Sequence, residues 1–202
     1  MMETVQTISL CKPSVSKKEI LRYAGAKMGD EALDRLVDEC LSLAEDHLTY
    51  RAVYAVYPIT HTETGVSLGT LSVASRDLAK NLNGCHAVIL FGASVGRAID
   101  RLVLRESVLS PARALLLDAY GTERVEALAD ALCDTLAAKY GEEGCVLRPR
   151  FSPGYGDLPL STQREIFSML DLPRRLNVTL NDSLLISPKK TVTAFVGIAK
   201  KE

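Results

Sequence analysis

The sequence predicts an α+β fold with a mostly antiparallel, twisted sheet flanked by helices. Three observations carry that reading. Residues 51–59 and 192–198 are β-branched- and tyrosine- or apolar-rich runs of strand length. Residues 87–91 (Ala-Val-Ile-Leu-Phe) form a continuous apolar run, the mark of a strand buried on both faces. Long stretches with helical spacing lie between these runs without the regular strand–helix alternation of a parallel sheet.

In chain order, residues 14–24 read as a short helix. Ser16 is its N-cap candidate, with Glu19 three residues on at capping-box spacing. Asp30 caps a second helix over 31–47, whose Leu33, Leu36, Val37, Cys40, Leu41 and Ala44 fall on one face. A strand over 51–59 follows, then a helix over 71–82 with Ser75 as an internal cap. After the buried strand, Gly92-Ala93-Ser94-Val95-Gly96 is expected to turn the chain into a helix reaching Arg105. A long helix over 110–139 follows, with a bend expected near Gly121, and Gly141 to Gly144 end it. Residues 148–160 are irregular, holding three of the eight prolines. A short helix over 161–170 comes next. Two strand-like runs, 184–187 and 192–198, are expected to pair as a hairpin across Pro188-Lys189-Lys190. Residues 1–84 are read as a helical and strand region of the same domain as residues 85–202.

Composition bounds the function. With 202 residues the chain can bury roughly 70% of its unfolded surface. Its formal net charge of −1 gives no global attraction to nucleic acid or anionic membrane. The start, Met1-Met2-Glu3-Thr4, lacks the basic and apolar regions of a signal peptide. The 87–91 run is far too short to span a bilayer. Five cysteines (11, 40, 85, 133 and 145), odd in number and without a CxxC pair, argue against a disulfide framework or zinc cluster. A cytoplasmic setting with reduced thiols is the simplest expectation.

The most informative stretch is Arg148-Pro149-Arg150-Phe151-Ser152-Pro153-Gly154-Tyr155-Gly156-Asp157. Pro-Gly at the centre of Ser152–Tyr155 fits a type II turn, because proline presets φ at the first central position and glycine accepts positive φ at the second. Such a bend leaves backbone groups available to a ligand. Arg150 supplies a planar fork of donors suited to a carboxylate. Tyr155 supplies an aromatic face that attracts a cation, worth roughly 0.5–2 kcal/mol. The alternative is a surface loop whose arginine simply pairs with an acidic residue.

Arg150-x-x-x-Gly154-Tyr155 resembles the RxxxGY signature of the S-adenosylmethionine-binding activation domain of cobalamin-dependent methionine synthase. In that family proline precedes the glycine and a helix opens several residues later, as Ser161 to Leu170 does here. Leu115-Leu116-Leu117-Asp118-Ala119-Tyr120-Gly121-Thr122 and Val125-Glu126-Ala127-Leu128-Ala129-Asp130 resemble the helix pair of small activation-domain proteins. The stretch from Leu176-Asn177-Val178-Thr179-Leu180 to Val196-Gly197 resembles the family's closing strands. The resemblance covers residues 85–198.

The resemblance implies that the chain binds S-adenosylmethionine and supports reductive reactivation of a cobalamin that has fallen to the inert cob(II)alamin state. A flavodoxin-like donor would supply the electron, and methyl transfer would restore methylcobalamin. It further implies that Arg150 binds the ligand carboxylate and Tyr155 lies along the ligand. The turn from Gly154 to Asp157 would contact its polar atoms. The family also carries an Arg and a Glu three residues apart on the long helix, where this chain has Ala131 and Asp134. Asp134 can keep the acidic role at shorter reach, but Ala131 cannot replace the Arg.

None of His47, His61 or His86 sits in the DxHxxG pattern of a corrinoid-binding module, so cobalamin would come only through a partner. That partner would be a methionine synthase lacking its own activation domain. The Ala131 departure keeps a second reading open, a non-enzymatic scaffold or sensor for a corrinoid methyltransferase. A weaker third is a nucleotide-binding protein using the Gly92–Gly96 turn, which lacks the P-loop Lys-Ser/Thr. Arg97 and Arg101 read as a solvated helix face. His61 is a loop residue with no nucleophile nearby. Cys85 and His86, adjacent on a strand, should point to opposite faces. Lys189-Lys190 and Arg174-Arg175 are small basic spots.

Overall fold

Central to the computed structural model, which describes residues 4–27 and 29–201, is a five-stranded sheet in which every neighbouring pair is antiparallel. Its order is β1 (Gln6–Ser9), β2 (Arg51–Pro58), β6 (Cys85–Ser94), β10 (Thr191–Lys200), β7 (Cys145–Leu147). The remaining strands are β3 (Thr60–His61), β4 (Val66–Leu68) and β5 (Leu71–Val73), forming a small second sheet, and β8 (Thr179–Leu180) paired with β9 (Ile186–Ser187). The helices are α1 (Lys17–Tyr23), α2 (Glu31–Ala44), α3 (Arg76–Asn81), α4 (Ala98–Leu109), α5 (Pro111–Glu142), α6 (Gln163–Leu170) and α7 (Leu172–Leu176).

Strand alternation sends side chains into two cores. On one face Ile89 and Phe91 of β6 and Ala194, Val196 and Ile198 of β10 pack under α1, α2, α4 and α5. On the other, Val88 and Leu90 of β6 and Phe195 of β10 pack against β4, β5, α6 and α7. Both central strands are therefore covered on both sides, which explains their continuous apolar sequence. Each fully buried aliphatic side chain contributes about 1.5–3 kcal/mol.

The first 84 residues are woven into this body. β2 pairs with β6 from Arg51↔Ser94 to Pro58↔Ala87. The α1 segment is held by a buried ion pair on α5. Arg124 is 0% exposed and its Nε donates to Glu123 Oε2 at 2.5 Å. The same guanidinium donates to the carbonyls of Pro13 (2.7 Å) and Ser14 (2.6 Å). Glu123 Oε1 accepts the Ser16 N–H at 3.0 Å.

Several expectations are corrected. The Ser16 hydroxyl does cap α1, but Glu19 bonds Arg22 while the Ser16 N–H goes to Glu123, so the capping box is only half made. The 71–82 stretch is not one helix. Leu71–Val73 pairs with β4, and Ser75 is the true N-cap of α3, accepting from the Leu78 N–H at 3.0 Å. Gly92 lies inside β6 rather than in a turn. Its missing Cβ makes room for Leu172 of α7, whose Cδ2 would lie 2.9 Å away. The 184–187 and 192–198 runs do not pair with each other: β9 pairs with β8, whereas β10 pairs with β6 and β7. The α5 helix is continuous through Gly121, where Ile99 and Lys190 crowd the position a Cβ would take. Cys85 is buried and His86 exposed, as strand alternation requires.

Replacing Arg124 by methionine should cost about 3–5 kcal/mol, because Glu123 would remain as an uncompensated buried charge. Adding Glu123→Leu should recover part of that loss. Urea unfolding of both variants checks this, and equal losses would contradict it.

Candidate functional site

The bend is built as its sequence demands. Ser152 C=O accepts the Tyr155 N–H at 3.2 Å, and Gly154 sits at φ +91°, the conformation a type II turn needs at that position. The chain then folds back, with Gly154 N–H donating to Leu158 C=O (2.9 Å) and Leu158 N–H to Tyr155 C=O (3.0 Å). Upstream, Phe151 exchanges both backbone bonds with Phe195 of β10, at 2.9 and 2.8 Å. The bend thus hangs from the edge of the central sheet.

A cavity of about 340 Å³ opens beside it, at the small end of the ligand-pocket range of roughly 300–1,000 Å³. Arg150 and Tyr155 both line it, with Phe151 and Ser152 between them. Val192 and Ala194 of β10 and Glu126 of α5 supply the remaining wall. Tyr155 is 69% exposed, so its ring stands at the mouth.

Arg150 is tethered from the α5 side. Its Nη2 lies 2.7 Å from Asp130 Oδ1 and 3.2 Å from Glu126 Oε2. These carboxylates, four residues apart, share one face of α5. Neither carboxylate stands out from the sequence alone as a site residue. The available signal was Glu126-x-x-x-Asp130-x-x-x-Asp134, an acidic stripe at helical spacing. Asp134 is exposed on α5, one turn beyond Asp130, and does not line the cavity.

Gly154 and Asp157 also lie off the cavity wall. The Asp157 carboxylate points to the start of α3 instead. It accepts from the Ser75 hydroxyl and from the N–H groups of Arg76 (2.8 Å) and Asp77 (3.2 Å). The Ser75 bond above all, with the Arg76 and Asp77 amides behind it, holds its pKa below the ordinary carboxylate value. The structure therefore brings Arg150 and Tyr155 together and sends Asp134 and Asp157 elsewhere.

No family model matches the chain, and no curated protein matches it. Among solved structures, the MetH reactivation domain bound to AdoHcy superposes with a TM-score of 0.67. This chain shares that domain's fold. The match covers 98% of this chain and 79% of the reactivation domain, at 14% sequence identity. The likeness to the MetH reactivation domain therefore extends over the first 84 residues as well as over the region around the bend.

Among the described residues, no group of three or more His, Cys, Asp or Glu side chains is placed to hold a metal, and no helix is long and apolar enough to cross a membrane. All five cysteines are free. Burial pushes the Cys133 thiol, beside Arg150, Asp130 and Asp134, up to about 11, and that of Cys40 likewise to about 11. Both should stay protonated below that pH. Iodoacetamide at neutral pH should therefore modify exposed Cys11 well before Cys40 or Cys133, as read by peptide mass spectrometry. Early labelling of Cys133 would contradict its assigned environment.

Proposed function

We propose that this chain binds S-adenosylmethionine in the cavity between Arg150 and Tyr155. In doing so it would support reductive reactivation, by remethylation, of the cobalamin of a partner methionine synthase lacking its own activation domain. The observation that carries the reading is the pairing of Arg150 with Tyr155 on one cavity at a Pro-Gly bend. The setting is the fold of a reactivation domain bound to AdoHcy, the demethylated counterpart of S-adenosylmethionine.

The residues fit a zwitterion that carries a further positive charge. The Arg150 guanidinium offers its fork to the ligand carboxylate. Glu126 offers a carboxylate to the ammonium or sulfonium, and the Tyr155 ring offers its face to the sulfonium. Phe151 gives an apolar surface for the adenosyl group. The bound metabolite would supply the methyl group, a flavodoxin-like donor the electron, and the partner the corrinoid. The role of this chain is then to hold one reactant in place, a proximity contribution. Its free thiols suit the cytoplasm.

The existing ion pairs of Arg150 do not preclude this. Arg150 is 27% exposed at its side chain, and its partners Glu126 and Asp130 are 38% and 65% exposed. Pairs of that exposure are worth about 0–1 kcal/mol. A ligand carboxylate can share or displace them, whereas it could not displace the enclosed Glu123–Arg124 pair.

A second reading, a scaffold or sensor for a corrinoid methyltransferase, draws on two observations. Ala131 stands where the resemblance expects an arginine, and Arg150 already has acidic partners.

Calorimetry separates the two. S-adenosylmethionine should bind at micromolar Kd, about −8 kcal/mol. Arg150→Ala should weaken it by at least about tenfold, since charged hydrogen bonds contribute about 1.5–3 kcal/mol. No binding, together with retained capture of a methionine synthase that lacks its activation domain, would favour the scaffold. Glu126→Gln should weaken S-adenosylmethionine more than AdoHcy, because only the former carries the sulfonium charge. An equal effect on both would remove Glu126 from the cation's surroundings.

A further inference from the structure

We infer that Asp157 is a positioning residue, holding the bend and with it the Tyr155 ring from behind rather than touching ligand. The inference rests on reading the cavity beside Arg150 and Tyr155 as the binding site.

The contact is reciprocal across some eighty residues of chain. Asp157 presents its carboxylate to the first turn of α3, taking the Ser75 hydroxyl and the amides of Arg76 and Asp77. In return the Asp157 N–H donates to Asp77 Oδ2 at 3.2 Å. The exchange is reciprocal, as in a capping box, but it uses the first two amides of α3 and joins the helix to a distant segment. Ser75 is 1% exposed and fixed at both ends, since its oxygen also accepts the Leu78 N–H. The clamp therefore closes on a rigid point of the second core.

Gly156 makes the approach possible. It sits at φ +52°, and a Cβ built there would lie 2.3 Å from Asp77 Oδ2 and 3.1 Å from its Cγ. A side chain at 156 and the Asp77–Asp157 contact are mutually exclusive.

Tyr155 stands one residue before that glycine. Its N–H and C=O are both committed within the bend, to Ser152 and Leu158. Its ring, being 69% exposed, gains little holding from packing. The direction of the ring into the cavity mouth is thus set by the backbone, and the backbone is set by Ser152 on one side and the α3 clamp on the other.

The chain contains no tryptophan, so Tyr155→Trp supplies a unique fluorophore at the position in question. In the full-length Tyr155→Trp chain, adding Asp157→Ala should lower the emission anisotropy and raise acrylamide quenching without any ligand. In the Tyr155 background, Asp157→Ala should weaken S-adenosylmethionine by about tenfold, the worth of one charge-assisted contact. Asp157→Asn, which retains an acceptor oxygen, should recover most of both readouts. Circular dichroism melting identifies any variant that fails to fold, in which case the Asp157→Asn pair of measurements decides. A fall in melting temperature with fluorescence and affinity unchanged would overturn the inference. So would lost affinity with the mobility of the introduced indole unaltered, which would return Asp157 to direct ligand contact. If the parent chain binds no S-adenosylmethionine, the ligand reading fails, while the mobility measurement still decides the clamp.

Discussion

A buried ion pair on α5 fixes where the segment leading into α1 must lie. Among the described residues Arg124 is the largest fully enclosed side chain, and Glu123 beside it is 4% exposed. Taking two such charges out of water costs several kcal/mol per ion, and their mutual attraction offsets this only if the remaining donors and acceptors are satisfied. Satisfaction comes from outside the helix, from the carbonyls of Pro13 and Ser14 and the amide of Ser16. The pair and the 13–16 segment therefore require each other. An apolar pair could fill the same volume, but it would not specify which backbone atoms of the N-terminal segment must arrive there.

One turn further along, α5 carries a second acid–arginine arrangement with the opposite energetics. Glu126 and Asp130 meet Arg150 near the surface, where water screens the charges and the net gain is small. The two arrangements use the same chemistry for different ends. Enclosure makes the first a fixed structural element. Exposure leaves the second exchangeable, so that a cavity lined by Arg150, Glu126 and Tyr155 presents positive, negative and aromatic groups within a small volume. A neutral or purely anionic ligand would leave at least one of them unused.

Local signals were legible in the sequence and non-local pairings were not. Asp30 and Ser16 cap the helices that follow them, because capping is decided within a few residues. The 71–82 stretch shows the limit. Leu71, Leu78 and Leu82 fall at helical spacing, yet Leu71–Val73 also alternates, and the partner strand β4 decides the matter. Likewise 184–187 and 192–198 look like a hairpin from their short connection, but β10 is apolar enough on both faces to occupy the sheet centre beside β6. At the site, Pro153-Gly154 announced the bend, with Arg150 and Tyr155 at its ends. Glu126, Asp130, Val192 and Ala194 were hidden because nothing local says which helix face and which strand will lie against that bend.

The site is consequently not a property of the bend alone. Its floor comes from β10, its acidic wall from α5, and the anchor behind it from α3. The α3 helix belongs to the first 84 residues, as does β2, which pairs with β6 along eight residues. Residues 85–202 by themselves would leave one edge of β6 unpaired and Asp157 without the amides it caps. At 14% identity the chain shares a fold with the MetH reactivation domain over 98% of its length, and the dependence of the bend on distant elements gives that extent a physical reason. A short bend keeps its shape only when the backbone behind it is held, and here that holding comes from β10 on one side and α3 on the other.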